Sequence, residues 1–244
     1  MRTVSDTKRS FYSYHTHPIN SIYRRVVEEL MVEMHLLSVN VDFRYNPIYS
    51  LGVVTSFDQF MQGYQPQSDQ ESIFTALCQA VEDNPQQYRQ DAEGIKGFAQ
   101  KFSSQELIDW LANPTPQDGT GEWLASWQEV VAGSKFKYSR LFGVGLYTLL
   151  EQIDSELIAD EKRLQETLTQ FSEAMSFSSD KMLKDMELYK GNLLKMNQAK
   201  AVMEDALEAE RKKRQKRALE KTEKEPTQDQ EAKKETETET ETNQ

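Results

Sequence analysis

The run "LFGVGLYTLL", residues 141–150, is the longest stretch of low polarity in the chain. It is about half as long as the roughly 20 residues that a membrane-spanning helix needs, so any contact with a membrane is expected from outside. Its "FGVG" segment contains Gly-x-Gly but lacks the third glycine and the preceding strand of a dinucleotide-binding unit. The two glycines instead indicate small residues that permit close packing of helices.

The composition around this run is that of a globular, acidic protein. The chain has 244 residues, 37% of them apolar, and a formal net charge of -11, which allows one or two domains. A net negative chain is not expected to bind nucleic acid in general, so any basic partner surface must be local. The single cysteine, Cys78, cannot form an intramolecular disulfide, and the start "MRTVSDTKRSF" resembles no targeting peptide. A cytoplasmic or stromal location is expected.

Apolar residues recur at spacings of three and four almost throughout, which predicts an all-α chain. The first helix is predicted over residues 3–13, and the second begins with Pro18 in its first turn. Its broad apolar face contains Ile22, Tyr23, Val26, Val27, Leu30, Met31, Met34 and Leu37.

Capping signals predict where the later helices begin and end. Asn46-Pro47 opens a helix that ends near Gly63, and "NPTPQDGTG", residues 113–121, is a loop. Beyond it, Trp123 and Trp127 share one helix face, and "ELIADEKRLQETLTQFSEAM" is predicted as one polar helix. Further starts are predicted at "SDQE" (68–71), Asn84-Pro85 and "SSQE" (103–106).

The character of the chain changes at residue 178. We predict a helical body over 1–177, a long coiled-coil-like helix over 178–221 and a disordered acidic tail over 222–244. The long helix has a seam that is apolar except at Lys200, followed by the basic run "RKKRQKR". The candidate interaction residues are Met182, Met186, Tyr189, Leu193, Met196, Met203 and Leu207 from the seam, with Arg211, Lys212, Lys213, Arg214, Lys216 and Arg217 from the run.

Three interpretations of the basic run compete. It attracts anionic lipid head groups at about 1 kcal/mol per residue, it binds an acidic partner protein, or it is a solvated helix end that complements the helix dipole.

All three histidines, His15, His17 and His35, fall near the N-terminus. The Glu-x-x-His pattern of di-iron bundles is absent for each of them. A zinc site built from His15, His17 and a distant carboxylate remains an alternative. The favoured interpretation places His17 near a helix start and His35 beside an apolar face, and we expect no metal and no cofactor.

The acidic residues beside these histidines offer little chemistry. Glu28 and Glu29 have Arg24 and Arg25 four residues before them, so both are expected in surface ion pairs. Glu33 is left unpaired by this reasoning. No pattern places a nucleophile beside a base, so we expect neither an enzyme nor a small-molecule substrate.

Four segments together carry a resemblance to a known family. "TVSDTKRSFY", "HPINSIYRRVVEELMVEMHLL", "VDFRYNPIYSLGVVTSFDQFMQGY" and "YSRLFGVGLYTLLE" resemble the thylakoid formation proteins, also described as photosystem II biogenesis factors. The resemblance covers roughly residues 2–215, and the absence of a transit peptide favours the cyanobacterial branch.

This resemblance implies an all-helical protein without known enzymatic activity that associates peripherally with thylakoid membranes. It also implies a role in photosystem II assembly and repair through association with the FtsH-type protease complex, and it supplies no catalytic residues. The leading hypothesis is therefore a protein that acts by binding this protease complex or photosystem II assembly and repair intermediates. The rival hypothesis is a membrane-surface protein that binds anionic thylakoid lipids directly through its basic helix end.

Overall fold

The computed structural model describes residues 2–120, 123–132 and 136–238, and side chains as far as Lys216. These ranges contain eleven helices and no strand, so the predicted all-α class with a long C-terminal helix is confirmed. The helices are α1 (Val4–Tyr14), α2 (Ser21–Ser38), α3 (Pro47–Met61), α4 (Gln67–Ala80), α5 (Pro85–Ala99), α6 (Ser104–Ala112), α7 (Trp123–Ala132), α8 (Arg140–Ile153), α9 (Ser155–Ala159), α10 (Glu161–Ala174) and α11 (Ser179–Thr238).

Several predicted helix ends are confirmed by their hydrogen bonds. The Asn46 and Asn84 side chains accept bonds from first-turn N–H groups of α3 and α5, each of which begins with a proline. At α6, Ser103 and Glu106 form the predicted capping box. Gly63 adopts a φ of +81° just after α3, a conformation that costs glycine little.

Three local predictions are wrong. The second helix begins at Ser21, because the Asn20 side chain accepts a bond from the Ile22 N–H and caps it there; Pro18 therefore lies before the helix. The fourth helix begins at Gln67, directly after Pro66, so "SDQE" lies inside it and forms no cap.

The third error concerns the polar segment 156–175, which is two helices instead of one. The Asp160 carboxylate accepts bonds from the Lys162 and Arg163 N–H groups, each at 3.1 Å. This N-cap starts α10 and separates it from α9.

The third helix lies at the centre of the body. Most of its residues are buried, and they lie on all faces of the helix. This is typical of a helix that is enclosed on all sides. Its most extensive contacts are with α8 and α5. Toward α5, the Ser50 hydroxyl donates to the Tyr88 carbonyl at 2.6 Å, which satisfies a buried polar group.

Toward α8, the contact of α3 is backbone against backbone. A Cβ placed on Gly52 would lie 1.7 Å from the Leu141 carbonyl oxygen, and one on Gly145 would lie 1.9 Å from the Ile48 carbonyl oxygen. No side chain fits at either position. The prediction that glycines of "FGVG" permit close helix packing is confirmed, with Gly52 as the partner that the sequence did not reveal.

The two tryptophans of α7 both contact aromatic side chains. Trp127 is buried, stacks on Phe142 at a ring distance of 6.1 Å and donates from Nε1 to the Leu111 carbonyl. Trp123 packs against Trp110 at 5.6 Å. The described part of the predicted loop, residues 113–120, is without helix.

The chain divides into a compact unit that ends at Leu194 and a second unit that begins at Lys195. The first turns of α11 therefore belong to the first unit. The predicted boundaries at 177/178 and 221/222 stay predictions. The backbone of α11 is helical to Thr238, but the side chains of the predicted tail over 222–244 lie outside the described residues, and its disorder stays a prediction.

Among the described residues, no helix combines the length and the apolar character that crossing a membrane requires. This agrees with what the short apolar run of α8 predicts.

Replacing Gly145 by alanine tests the contact between α3 and α8. The added methyl group would overlap the Ile48 carbonyl, so we expect the free energy of unfolding to fall by about 3 kcal/mol or more. Gly94→Ala is the matched control, because Gly94 is exposed on α5 and a Cβ there meets nothing within 4 Å. We expect this variant to have a free energy of unfolding about 0.5 to 1 kcal/mol higher than the parent, because alanine favours the helix more than glycine does. Urea unfolding measures the free energy of unfolding of each variant. Equal free energies of unfolding for Gly145→Ala and Gly94→Ala would contradict the close contact between α3 and α8.

Candidate functional site

The long helix α11 carries every predicted interaction residue, and it starts at a sharp turn. Ser176 has a φ of +56°, and the Phe177 N–H bonds back to the Ser172 carbonyl at 2.9 Å. The Ser178 hydroxyl then accepts a bond from the Lys181 N–H at 3.3 Å. The turn returns the chain against the body.

The first part of the predicted seam packs into the body. Met182 is fully buried, Met186 is 4% exposed, and the Met186 methyl group lies 3.1 Å from where a Cβ on Gly143 would be. The Tyr189 ring packs edge-on against Phe60 at 5.7 Å. A partner would have to displace the body to reach Met182 and Met186, whereas Tyr189 is half-buried. The role of all three side chains in interaction stays a prediction.

Two lysines of this part of α11 lie over aromatic rings of the body. The Lys181 Nζ is 5.4 Å from the centre of the Tyr138 ring, and the Lys190 Nζ is 4.4 Å from that of Tyr147. Such cation–π contacts contribute about 0.5 to 1 kcal/mol at exposed sites. Sequence reasoning missed both, since nothing local links residues so far apart.

The later part of the seam becomes more exposed toward its end. Leu193 and Met203 are half-buried, Met196 is buried, and Leu207 is 58% exposed. Lys200 interrupts the seam as predicted. Burial lowers the pKa of Lys200, and the Glu204 carboxylate opposes that shift.

The basic run is exposed on α11 as far as its side chains are described. Lys212 pairs with Glu208 and Arg214 pairs with Glu210, each at 2.8 Å and with the acid four residues before the base, the favourable orientation on a helix. Arg211, Lys213 and Lys216 form no ion pair with any described side chain. The side chain of Arg217 lies outside the described residues.

The three histidines form hydrogen bonds within the protein. Buried His35 contacts the Thr7 hydroxyl through Nδ1 at 2.8 Å, and buried His15 contacts the Ser72 hydroxyl through Nδ1 at 3.0 Å. Exposed His17 lies in the α1–α2 connection, with Nδ1 3.3 Å from the Asp69 carboxylate. It is near a helix start, as predicted, since the N-cap of α2 is Asn20. In the described ranges no three His, Cys, Asp or Glu side chains converge in a way that would hold a metal.

The acidic residues of α2 follow the predicted pairing only in part. Arg25 pairs with Glu29 at 3.0 Å, as predicted. Glu28, however, pairs with Lys8 at 3.0 Å and accepts a bond from the Tyr12 hydroxyl.

Glu33, predicted to be unpaired, accepts a bond from Arg140 Nε at 3.1 Å. The two residues are 107 positions apart, which explains why local spacing could not find the pair.

The cysteine is enclosed in the core. Cys78 is fully buried and free, and burial raises the pKa of its thiol well above the usual range, with the Asp83 charge adding to the shift. A thiol held protonated in this way is a poor nucleophile.

The pH dependence of stability tests the burial of His15. Burial lowers the pKa of His15; the Asp69 carboxylate opposes this shift and His17 adds to it. The Nε2 atom of His15 has no hydrogen-bond partner among the described residues. Below the unfolded-state pKa of about 6.5, the unfolded chain therefore binds a proton that the folded chain does not. We expect stability to fall as pH drops from 7 to 5, by up to about 1.4 kcal/mol per pH unit.

In His15→Gln this decline should be weaker, whereas the exposed-residue control His17→Gln should retain it. Urea unfolding at each pH measures the effect, and identical pH profiles for His15→Gln and the parent would contradict it.

Comparison with known proteins gives a consistent result. The model of the family described as "Thylakoid formation protein" matches residues 3–218. Protein Thf1 of Trichormus variabilis is 59% identical over 217 residues, which cover 89% of this chain and 93% of the relative. Protein Thf1 of Crocosphaera subtropica is 58% identical over 221 residues, covering 91% and 90%.

A solved structure of Psb29 has the same fold. It is 46% identical, superposes with a TM-score of 0.66, and the match covers 81% of this chain and 99% of the other. The resemblance noted in the four sequence segments is thereby confirmed over most of the chain. The chain belongs to the thylakoid formation protein family.

Proposed function

We propose that the protein is a non-enzymatic factor in thylakoid membrane formation and in photosystem II biogenesis and repair, located at the cytoplasmic side and peripherally associated with the thylakoid membrane. Family membership supports the general role. The mechanism is binding: the protein recruits or stabilises an FtsH-type membrane protease complex.

One observation carries the binding mechanism, namely the exposed cations of α11. Arg211, Lys213 and Lys216 are exposed and form no ion pair with described side chains, in a chain whose net charge is -11. Unpaired charge of this kind steers association with an oppositely charged partner surface and sets its specificity. Leu207, 58% exposed nearby, adds apolar area.

Direct binding to anionic lipid is the second candidate function, favoured by the same exposed cations. Its strength is limited, however, by Glu208 and Glu210. With these acids included, the segment 208–216 has a net charge of +3, which corresponds to about 3 kcal/mol at about 1 kcal/mol per charge. That is weak attachment, so protein binding is the better-supported function.

The triple variant Arg211→Glu, Lys213→Glu, Lys216→Glu tests the proposal. We expect the tagged parent chain to retain the protease complex from detergent-solubilised thylakoids, and the triple variant to retain at least about tenfold less, because charge reversal opposes the partner surface. The matched control is Arg9→Glu, Lys162→Glu, Lys184→Glu, which changes the net charge equally at other exposed positions.

Equal retention by the triple variant and its control would contradict the role of the basic run. Flotation of the parent chain with vesicles separates the two candidate functions. Binding to anionic but not neutral vesicles that fades with added salt would support the lipid function, whereas no flotation together with retained protease supports the protein partner.

A further inference from the structure

An open groove of about 1080 Å³ lies on the body. Its walls are the outer face of α2, the segment 137–140 and the first turns of α11, all within the unit that ends at Leu194. The groove contains none of the distal residues of α11. Binding in the groove therefore needs none of the residues assigned above to the partner of the basic run.

The α2 wall of the groove presents two exposed apolar side chains beside its charged ones. Val32 and Leu36, four residues apart on the same face, are 36% and 56% exposed. Two exposed apolar side chains at this spacing provide the surface onto which an amphipathic helix lays its own apolar face.

The charges of the groove favour an acidic occupant. Three of its acids, Glu28, Glu29 and Glu33, are already paired with Lys8, Arg25 and Arg140. The exposed cations Arg24, Lys137 and Lys181 form no ion pair with any described side chain, although Lys181 lies over the Tyr138 ring. Arg24 does act electrostatically on the Glu28 carboxylate, but that carboxylate already pairs with Lys8. The cations of the groove therefore exceed the acids that are left without an ion pair.

One acid at the floor counts against this excess. The Asp185 carboxylate lies beside the Tyr138 hydroxyl; one of its oxygens and that hydroxyl are buried, without a well-formed hydrogen bond to described residues. Burial, with the Asp185 charge, raises the pKa of Tyr138. The phenol is therefore neutral, and three unpaired cations face one enclosed carboxylate.

The size of the groove also indicates the class of occupant. Small-molecule pockets usually measure about 300 to 1,000 Å³ and are enclosed, whereas this groove is open and slightly larger. A helix about 10 to 12 Å across would fill the same volume over about two turns. The four-residue spacing of Val32 and Leu36 covers about 6 Å along the axis, which is about one of these two turns.

We infer that this groove is the docking site for an acidic amphipathic helix of a partner protein. The apolar face of that helix contacts Val32 and Leu36, and its flanking carboxylates face Arg24, Lys137 and Lys181. Charge complementarity gives the orientation, and apolar burial holds the helix in place.

A stapled helical peptide of about 14 residues, with leucines on one face and glutamates elsewhere, tests the inference on the full-length protein. By fluorescence anisotropy we expect it to bind at least about tenfold more tightly than the same peptide with lysines in place of the glutamates. Leu36→Ser and the pair Lys137→Glu, Lys181→Glu should each weaken binding by about tenfold or more.

Val41→Ser is the matched control, because Val41 is 83% exposed and lies outside the groove lining; its affinity should change less than about twofold. A photo-crosslinking residue at position 36 identifies the occupant directly. A crosslink to the peptide supports the inference, while a crosslink to a second copy or to residues 217–244 of the same chain overturns it. Equal affinity for both peptides, or equal effects of the Leu36 and Val41 variants, also overturns it.

Discussion

The contact between the backbones of α3 and α8 is the constraint on which the rest of the body depends. At Gly52 and Gly145 the two helices meet without side chains between them. Since α3 is buried on nearly every face, it is a helix that the remaining elements must surround. The bond from Ser50 to the Tyr88 carbonyl holds α5 on one side, and the ion pair between Glu33 and Arg140 ties α2 to the start of α8.

The long helix α11 changes in character along its length. Its first turns complete the body through buried Met182 and Met186, whereas its later turns carry Arg211, Lys213 and Lys216, which form no ion pair with any described side chain. The binding mechanism proposed above needs no cleft and no perturbed catalytic group. The perturbed groups that do occur, such as Cys78 and the buried tyrosines, owe their shifts mainly to burial in the core, which is a structural cause and not a sign of catalysis.

The parts of this structure that sequence reasoning predicted are those set by local physics. Helical periodicity, the asparagine–proline starts of α3 and α5, and the capping box at Ser103 depend on neighbours within one turn. Errors arose where two local signals competed, as at Pro18 and Asn20, or where a hydrogen bond broke a periodic segment, as at Asp160. The ion pair of Glu33 and the packing partner of Gly145 could not be predicted from local patterns, because each depends on residues far away in the chain. The basic run was visible in the sequence, whereas the groove on α2 exists only once three distant segments meet.

The close approach of α3 and α8 also has a consequence for how the protein is made. Gly145 emerges from the ribosome about 90 residues after Gly52, which at about 5 to 20 residues per second is a delay of roughly 5 to 18 seconds. During that time α3, apolar on almost every face, has no partner on its glycine side. The backbone contact between α3 and α8 can therefore form only after more than half of the chain has been made, which makes it a late contact although its first partner is made early.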